Sequence, residues 1–272
     1  MEIKLLGTGG ADGMPGLFCR CSACLYARLH GGKDLRTRAS ALIDSTLKID
    51  LPPDTLSQSL KGELDMSAVE TLLFTHGHDD HFCLSEIQYL GKHFISPPDH
   101  PLYLLAPLNI IEQVDLLYAN RDLPLCFQVL SLWKTILAGG YRITPLEAKH
   151  VTDMECFNYL IQEISTGKTL LYATDTGWWD EKTWSFLVGK HVDGVVMECG
   201  MGPIREGYAG HLSIAQIIAA REKLLTQNTI TPDTLFVATH LSHAGGFLHQ
   251  DYEAVLCPHG ITTGFDGMTF TL

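Results

Sequence analysis

Basic residues are scarce in this chain: 19 lysines and arginines stand against 31 aspartates and glutamates, a formal net charge of -12. That deficit argues against a surface that holds nucleic acid through phosphate contacts. Long apolar runs are missing as well. No stretch approaches the roughly 20 residues of a membrane span, and the opening MEIKLLGTGG has neither the basic region nor the cleavage site of a secretory leader. A cytoplasmic protein with no membrane partner is expected. Eight cysteines are too few for a disulfide scaffold in a chain of 272 residues, and three of them crowd together in a way that suits a metal better than cross-links. Repeats, low-complexity tracts and polar linkers are also absent, so residues 1–272 read as a single domain.

What is present is a succession of short apolar runs separated by loops. EIKLLGT, SALIDS, ETLLFT, PLYLLAP, YRITPL, FNYLIQEI, KTLLYAT, DGVVMEC and TLFVATH read as strands. Helices are expected at LSEIQYLGKHF, LNIIEQVDLLYAN, EKTWSFLVG and SIAQIIAAREKLLTQ, the last with Ser213 as cap and Gln216 completing a capping box. Helices do not follow every strand. The pattern therefore favours two packed sheets covered by helices over a doubly wound parallel sheet.

Phe74 to His81 reads FTHGHDDH, so His76, His78, Asp79, Asp80 and His81 crowd together where a strand ends. Five ionisable side chains in six positions would repel one another or be costly to desolvate without a cation. The same residue types recur at other strand ends: His150 after YRITPLEAK, Asp175 after KTLLYAT and His240 after TLFVAT. A single histidine at a strand end is more often a satisfied polar residue than a ligand; the cluster tips the balance. With Asp79 set aside as a solvated or supporting carboxylate, seven donors remain, a stock suited to two metals. Imidazole and carboxylate accept zinc, manganese or iron, and an aspartate can bridge two ions. Two ions about 3.5–4 Å apart can clamp the attacking and leaving oxygens of a displacement.

A second group lies near the start. Cys19, Cys21 and Cys24 form C-x-C-x-x-C, three thiolates for a tetrahedral site that needs one more donor. His243, three residues beyond His240 in THLSH, is available to close it as a structural zinc site. The remaining cysteines, Cys83, Cys126, Cys156, Cys199 and Cys257, read as small core residues. GTGGADG lacks the ending of a P-loop and the spacing of a dinucleotide fingerprint, so its glycines are expected to let the chain turn beside the metals. Arg36 and Arg38 are expected in a solvated loop, contact with a substrate phosphate being the alternative.

FTHGHDDH, followed in order by His150, Asp175 and His240, resembles the metallo-β-lactamase superfamily over nearly the whole chain. The resemblance implies an α+β fold, a four-layer αββα sandwich with the metals at one edge between the sheets. It also implies that His76, His78 and His150 take one metal and Asp80, His81 and His240 the other, with Asp175 bridging; Asp80 would mainly be a ligand that also helps orient the nucleophile. YAGHLSIAQ, with His211, is similar to the motif that carries the general-acid histidine in phosphodiesterase members, the tRNA 3′-processing ribonucleases among them. Together with C-x-C-x-x-C and THLSH, these motifs resemble the PhnP-like branch, phosphoribosyl cyclic phosphate phosphodiesterases of the carbon-phosphorus lyase pathway. That branch implies hydrolysis of a small cyclic phosphodiester, a structural zinc on Cys19, Cys21, Cys24 and His243, and a homodimer. The alternatives are a tRNA 3′-processing ribonuclease and a cofactor-synthesis protein of the pyrroloquinoline quinone B type, which shares the early cysteine motif. ALIDSTLKIDLPPDT is less regular than the LIDxG turn of the branch, and the stretch 92–137 is expected to carry a variable lid.

Overall fold

The computed structural model describes residues 1–96, 100–204 and 207–272. Its strands are β1 (Glu2–Gly7), β2 (Ser40–Ile43), β3 (Leu47–Ile49), β4 (Thr71–Leu73), β5 (Leu102–Ala106), β6 (Leu125–Val129), β7 (Ile136–Ala138), β8 (Tyr141–Glu147), β9 (Phe157–Glu163), β10 (Thr169–Ala173), β11 (Gly194–Glu198), β12 (Leu235–Thr239), β13 (Thr262–Thr263) and β14 (Thr269–Thr271). The α-helices are α1 (Ser22–His30), α2 (Thr55–Leu60), α3 (Leu108–Tyr118), α4 (Glu181–Leu187), α5 (Ile214–Thr226) and α6 (His249–Leu256).

The strands form two seven-stranded sheets, β14-β1-β2-β3-β4-β5-β6 and β13-β12-β11-β10-β9-β8-β7. In each sheet three antiparallel pairings continue into three parallel ones. Residues such as Ile3, Leu5, Ile43, Leu73, Tyr159, Ile161, Tyr172, Val196 and Val237 fill the space between the sheets. On the outer face of the first sheet Leu72, Phe74 and Leu104 pack with Ile110 and Val114 of α3. Leu171, Val195 and Phe236 of the second pack with Trp184 of α4, Ile217 and Leu224 of α5, and Tyr252 of α6. Four layers result, as expected. Because the inner strands are covered on both faces, β10 and β11 read as unbroken apolar runs rather than alternating ones. Truncating one of their leucines or valines would cost about 1–5 kcal/mol.

The expected capping box opens α5: Gln216 N–H donates to Ser213 Oγ at 3.4 Å, and Ser213 N–H donates to Gln216 Oε1 at 2.9 Å. LSEIQYLGKHF differs from expectation. Leu84–Leu90 is a 3₁₀ helix, because Leu84, Ile87 and Leu90 recur every three residues and so share one side of a three-residue turn against the outer core. Strands β3, β6, β7, β13 and β14 and helices α1, α2 and α6 add to the nine strand and four helix segments above; the added strands are short, and every residue of β6 is at least partly exposed, which weakens the apolar signal. Residues 92–137 contribute β5, α3, β6 and the start of β7, so half of that stretch is scaffold rather than lid. Residues 97–99, part of SPPDHP, lie outside the described residues. Cys156 and Cys199 are core residues, but Cys126 on edge strand β6 and Cys257 after α6 are exposed and Cys83 is half-buried, which corrects the core reading for those three.

Candidate metal centre

At one edge of the sandwich the ends of β4, β8, β10, β11 and β12 converge, most of them parallel strands, and the loops that leave them carry the polar residues. His76 Nε2, His78 Nδ1 and His150 Nε2 meet in one group: His78 Nδ1 lies 2.9 Å from the first and 3.0 Å from the last. Asp80, His81, Asp175 and His240 meet in a second. There His81 Nε2 lies 3.2 Å from Asp80 Oδ2 and 3.4 Å from Asp175 Oδ1, and His240 Nε2 lies 3.1 Å from the same Asp175 oxygen. Asp175 thus divides its oxygens. Its Oδ2 faces the first group, 3.8 Å from His76 Nε2 and 3.6 Å from His150 Nε2.

All seven residues expected to be ligands are therefore together, in the two sets expected, with Asp175 between them. They fit divalent ions. His81 Nε2, Asp175 Oδ1 and His240 Nε2 are buried without a hydrogen-bond partner and point at one another. Donors on a tetrahedral ion at about 2.0–2.1 Å stand about 3.3 Å apart, close to the separations seen here. Asp79 is exposed, as expected of a solvated carboxylate.

Most of the histidines are aimed by a second contact. Thr75 Oγ1 lies 3.0 Å from His76 Nδ1, the Gly210 carbonyl 3.1 Å from His150 Nδ1, and Asp50 Oδ2 2.7 Å from His81 Nδ1. A partner on one ring nitrogen fixes the tautomer and leaves the other nitrogen free to bind. Asp50 also accepts from the Thr75 N–H at 2.8 Å, which ties β3 to the loop that carries His76. Burial alone would raise the Asp175 carboxyl, but His240 and His81 hold it well below the usual carboxylate range. Burial pushes His76 well below its ordinary value, with His81 adding to the effect.

His211 stands over both groups, its ring stacked 5.0 Å from His240 and tilted 4.8 Å from His150. Its Nδ1 is 2.8 Å from Oε1 of Glu198, a fully buried residue that ends β11. Glu198 also accepts the N–H groups of Thr176 and Gly200, each at 2.7 Å, and of Leu212 at 3.2 Å. The carboxylate is pinned from four sides. Burial disfavours the charged His211 ring, yet adjacent Glu198 outweighs it and pushes the pKa up to about 9. Tyr208 closes the edge of the site, donating to the His150 carbonyl at 2.7 Å. Glu198 and Asp50 were not singled out from sequence, although both are carboxylates at strand ends, after VVM and LKI, where Asp175 stands after LLYAT. Glu198 hides at the end of an apolar run, and Asp50 lies in the irregular ALIDSTLKID.

The cysteine group also assembles: one donor atom from each of Cys19, Cys21, Cys24 and His243 lies within 4.8 Å of the others. His243 Nδ1 is 3.7 Å from the sulfurs of Cys19 and Cys21, and its Nε2 is hydrogen-bonded to Asp12. Each sulfur accepts a backbone N–H: Cys19 from Cys21 at 3.4 Å, Cys21 from Cys24 at 3.4 Å and Cys24 from Gly16 at 3.3 Å. Such bonds favour thiolates. Arg36 and Arg38 are not solvated as expected. Arg36 is 4% exposed and donates to Thr8 Oγ1 and to the Gly264 carbonyl, each at 2.7 Å, because it joins the end of β1 to the segment between β13 and β14. Arg38 pairs with Asp54 at 3.1 Å.

Among solved structures, a diphosphatase of the PhnP family superposes with a TM-score of 0.79 at 20% identity, covering 100% of this chain and 97% of that one. Zinc-bound PqqB from Methylobacterium extorquens gives 0.74 at 19%, with both chains covered completely. Human tRNase Z, short form, gives 0.69 at 15%, covering 100% and 99%. An octanoyltransferase from Porphyromonas gingivalis is 27% identical over 98% of this chain, which spans about half the length of that curated relative (51%). The family described as the beta-lactamase superfamily domain matches residues 42–232. That match takes in the strand ends that carry His76, His150 and Asp175, and the chain belongs to the metallo-β-lactamase superfamily.

Proposed function

We propose that this metallo-hydrolase-fold protein is a metal-dependent phosphodiesterase acting on a small cyclic phosphodiester such as a phosphoribosyl cyclic phosphate. The observation that carries the reading is the Glu198–His211 pair beside the seven-residue cluster. Hydrolysis of a diester expels an alkoxide, which needs a proton; Glu198 engages Nδ1 of His211, leaving Nε2 to hold that proton. His76, His78 and His150 would hold one divalent ion, zinc, manganese or iron, and Asp80, His81 and His240 a second, with Asp175 shared. When bound, such a pair lowers the pKa of water and offsets charge gathering on phosphorus. Asp80, 12% exposed, would also help orient the nucleophile. Cys19, Cys21, Cys24 and His243 would hold a structural zinc.

The likeness to the PhnP-family diphosphatase supports this reading over a ribonuclease, and so does the net charge of -12, which disfavours tRNA as substrate. The likeness to the octanoyltransferase favours a second reading, hydrolysis of an acyl thioester. The two separate chemically, because a thiolate leaves without protonation and a thioesterase would not depend on His211. The test is turnover of bis-p-nitrophenyl phosphate, a cyclic ribose phosphate and an octanoyl thioester by wild type and His211→Ala, with metal content measured on both. Bis-p-nitrophenyl phosphate, whose phenolate leaves without a proton, reports the metal centre alone; turnover of the cyclic ribose phosphate, which expels an alkoxide, that collapses in a variant keeping its metals supports the proposal. Thioester turnover indifferent to His211 would replace it with the second reading.

A further inference from the structure

We infer that the cysteine cluster is the positioning device for His240, so that its state sets the metal affinity of the Asp80–His81–Asp175–His240 group. The inference rests on the reading above that this group holds an ion. His76, His81 and His150 each have a partner on the ring nitrogen that faces away from the cluster. His240 has none: both its Nδ1 and its Nε2 are buried without a hydrogen bond. Its residue also takes a positive φ of 53°, a strained conformation for a side chain with a Cβ. The rings of His211 and His81 stack on it, 5.0 and 5.7 Å away, but no hydrogen bond fixes its rotation, so its backbone must set where the ring stands.

The holding contacts come from the segment that leads to the cysteines. Leu241 N–H donates to the Thr8 carbonyl at 2.8 Å, and Gly10 N–H donates back to the Leu241 carbonyl at 3.3 Å. A side chain at Gly10 would begin 3.4 Å from His240 Cε1, so the bare backbone there forms one wall of the ring's pocket. A few residues on, the same two segments are clasped again. His243 Nδ1 faces Cys19 and Cys21, its Nε2 is held by Asp12, and Gly16 lies so close that a Cβ would sit 2.9 Å from His243 Nε2. Arg28 on α1 braces this loop by donating to the carbonyls of Cys19 and Gly16, each at 2.7 Å. Residues 8–24 and 240–243 are therefore joined at two points, main-chain bonds under His240 and thiols around His243. With the second point opened, the first rests on two hydrogen bonds and the strained φ of His240 is no longer imposed from both sides.

Cobalt(II) alone is the probe. Thiolate-to-cobalt charge-transfer absorption reports the cysteine cluster. The hyperfine-shifted ring N–H signals of His150, bonded to the Gly210 carbonyl, and of His81, bonded to Asp50, report the first and second groups separately. In Cys24→Ser the charge-transfer band should be lost and the cobalt concentration needed for the His81 signal should rise about tenfold or more, the range seen when support around a metal ligand is removed, while the His150 signal titrates as in wild type. Asp12→Ala guards against misfolding, because Asp12 is exposed and all four cluster ligands stay; it should weaken cluster and His81 signal together, by a smaller factor. A variant in which the cluster weakens and the His81 titration stays at its wild-type position overturns the inference. A wild type that shows the His150 signal and never the His81 signal at saturation overturns the second position itself and the coupling with it.

Discussion

The histidine–aspartate cluster draws its donors from the ends of strands in both sheets, whereas the cysteine cluster takes three of its four from the six residues between Cys19 and Cys24. The first is framed by the sandwich. Its strands are fixed by buried apolar layers on both faces, and a hydroxyl, a carboxylate and a carbonyl aim three of its five imidazoles before any ion arrives. The second has little core of its own: Met14, Ala23 and Ala27, with Cys21 and Leu248 beside them. A pre-formed site keeps its shape when one donor is lost, while a site with a small core takes its shape from the ion and loses it with the ion.

Removing the shared donor should give the largest effect. Asp175→Ala takes one oxygen from each group, and both ions of the histidine–aspartate cluster should be lost together with all turnover, while the cysteine-bound ion stays; metal counting by mass spectrometry checks it. Retention of either ion at full occupancy would mean that Asp175 does not bridge. His211→Ala should leave every metal in place and slow diester turnover by about 10²- to 10⁴-fold, the usual worth of a positioned general acid. Glu198→Gln should follow in the same direction with a smaller loss, because it keeps a hydrogen-bond partner for His211 and removes the charge. Next comes Asp50→Asn, expected to weaken metal binding about 10- to 100-fold, the range for the partner of a ligating histidine. If dialysis against a chelator strips Asp50→Asn and wild type alike, His81 is held by packing rather than by Asp50.

Much of this contrast was legible in the sequence. The nine strand segments, the capping box at Ser213 and Gln216 and the pairing of His243 with the cysteines appear where the residue types placed them, and the two donor sets fall as the family resemblance implied. A strand buried on both faces, such as β11, announces itself by continuous hydrophobicity, and clustered ionisable residues announce a shared site. What escaped has physical reasons as well. Glu198 and Asp50 act by aiming neighbours distant in sequence, and nothing local marks which buried carboxylate will meet which ring. Arg36 looked like a loop cation because its acceptors, Thr8 and Gly264, come from opposite ends of the chain. Lys48 escaped because LKI is too short to show that both faces of β3 are covered.

Lys48 gives the smallest effect and the sharpest view of how the sandwich supports its site. It is fully buried on β3 and its Nζ donates to the Asp50 carbonyl, the residue that aims His81. Burial pulls its pKa from 10.5 down to about 7, with nearby Asp50 opposing. The unfolded chain therefore binds more protons than the folded one between about pH 7 and 10.5, so this lysine's cost to folding is full below 7 and fades as pH rises through the window. Lys48→Met removes that cost and gives up one hydrogen bond, worth about 1 kcal/mol. The variant should be the more stable protein at pH 7, and its advantage should shrink by about 3 kcal/mol by pH 9.5, below the range in which the buried tyrosines titrate. Urea unfolding of both proteins at the two pH values measures this directly. An advantage that does not change with pH would show that Lys48 keeps its charge at both, and that the layer behind Asp50 is more polar than its apolar lining implies.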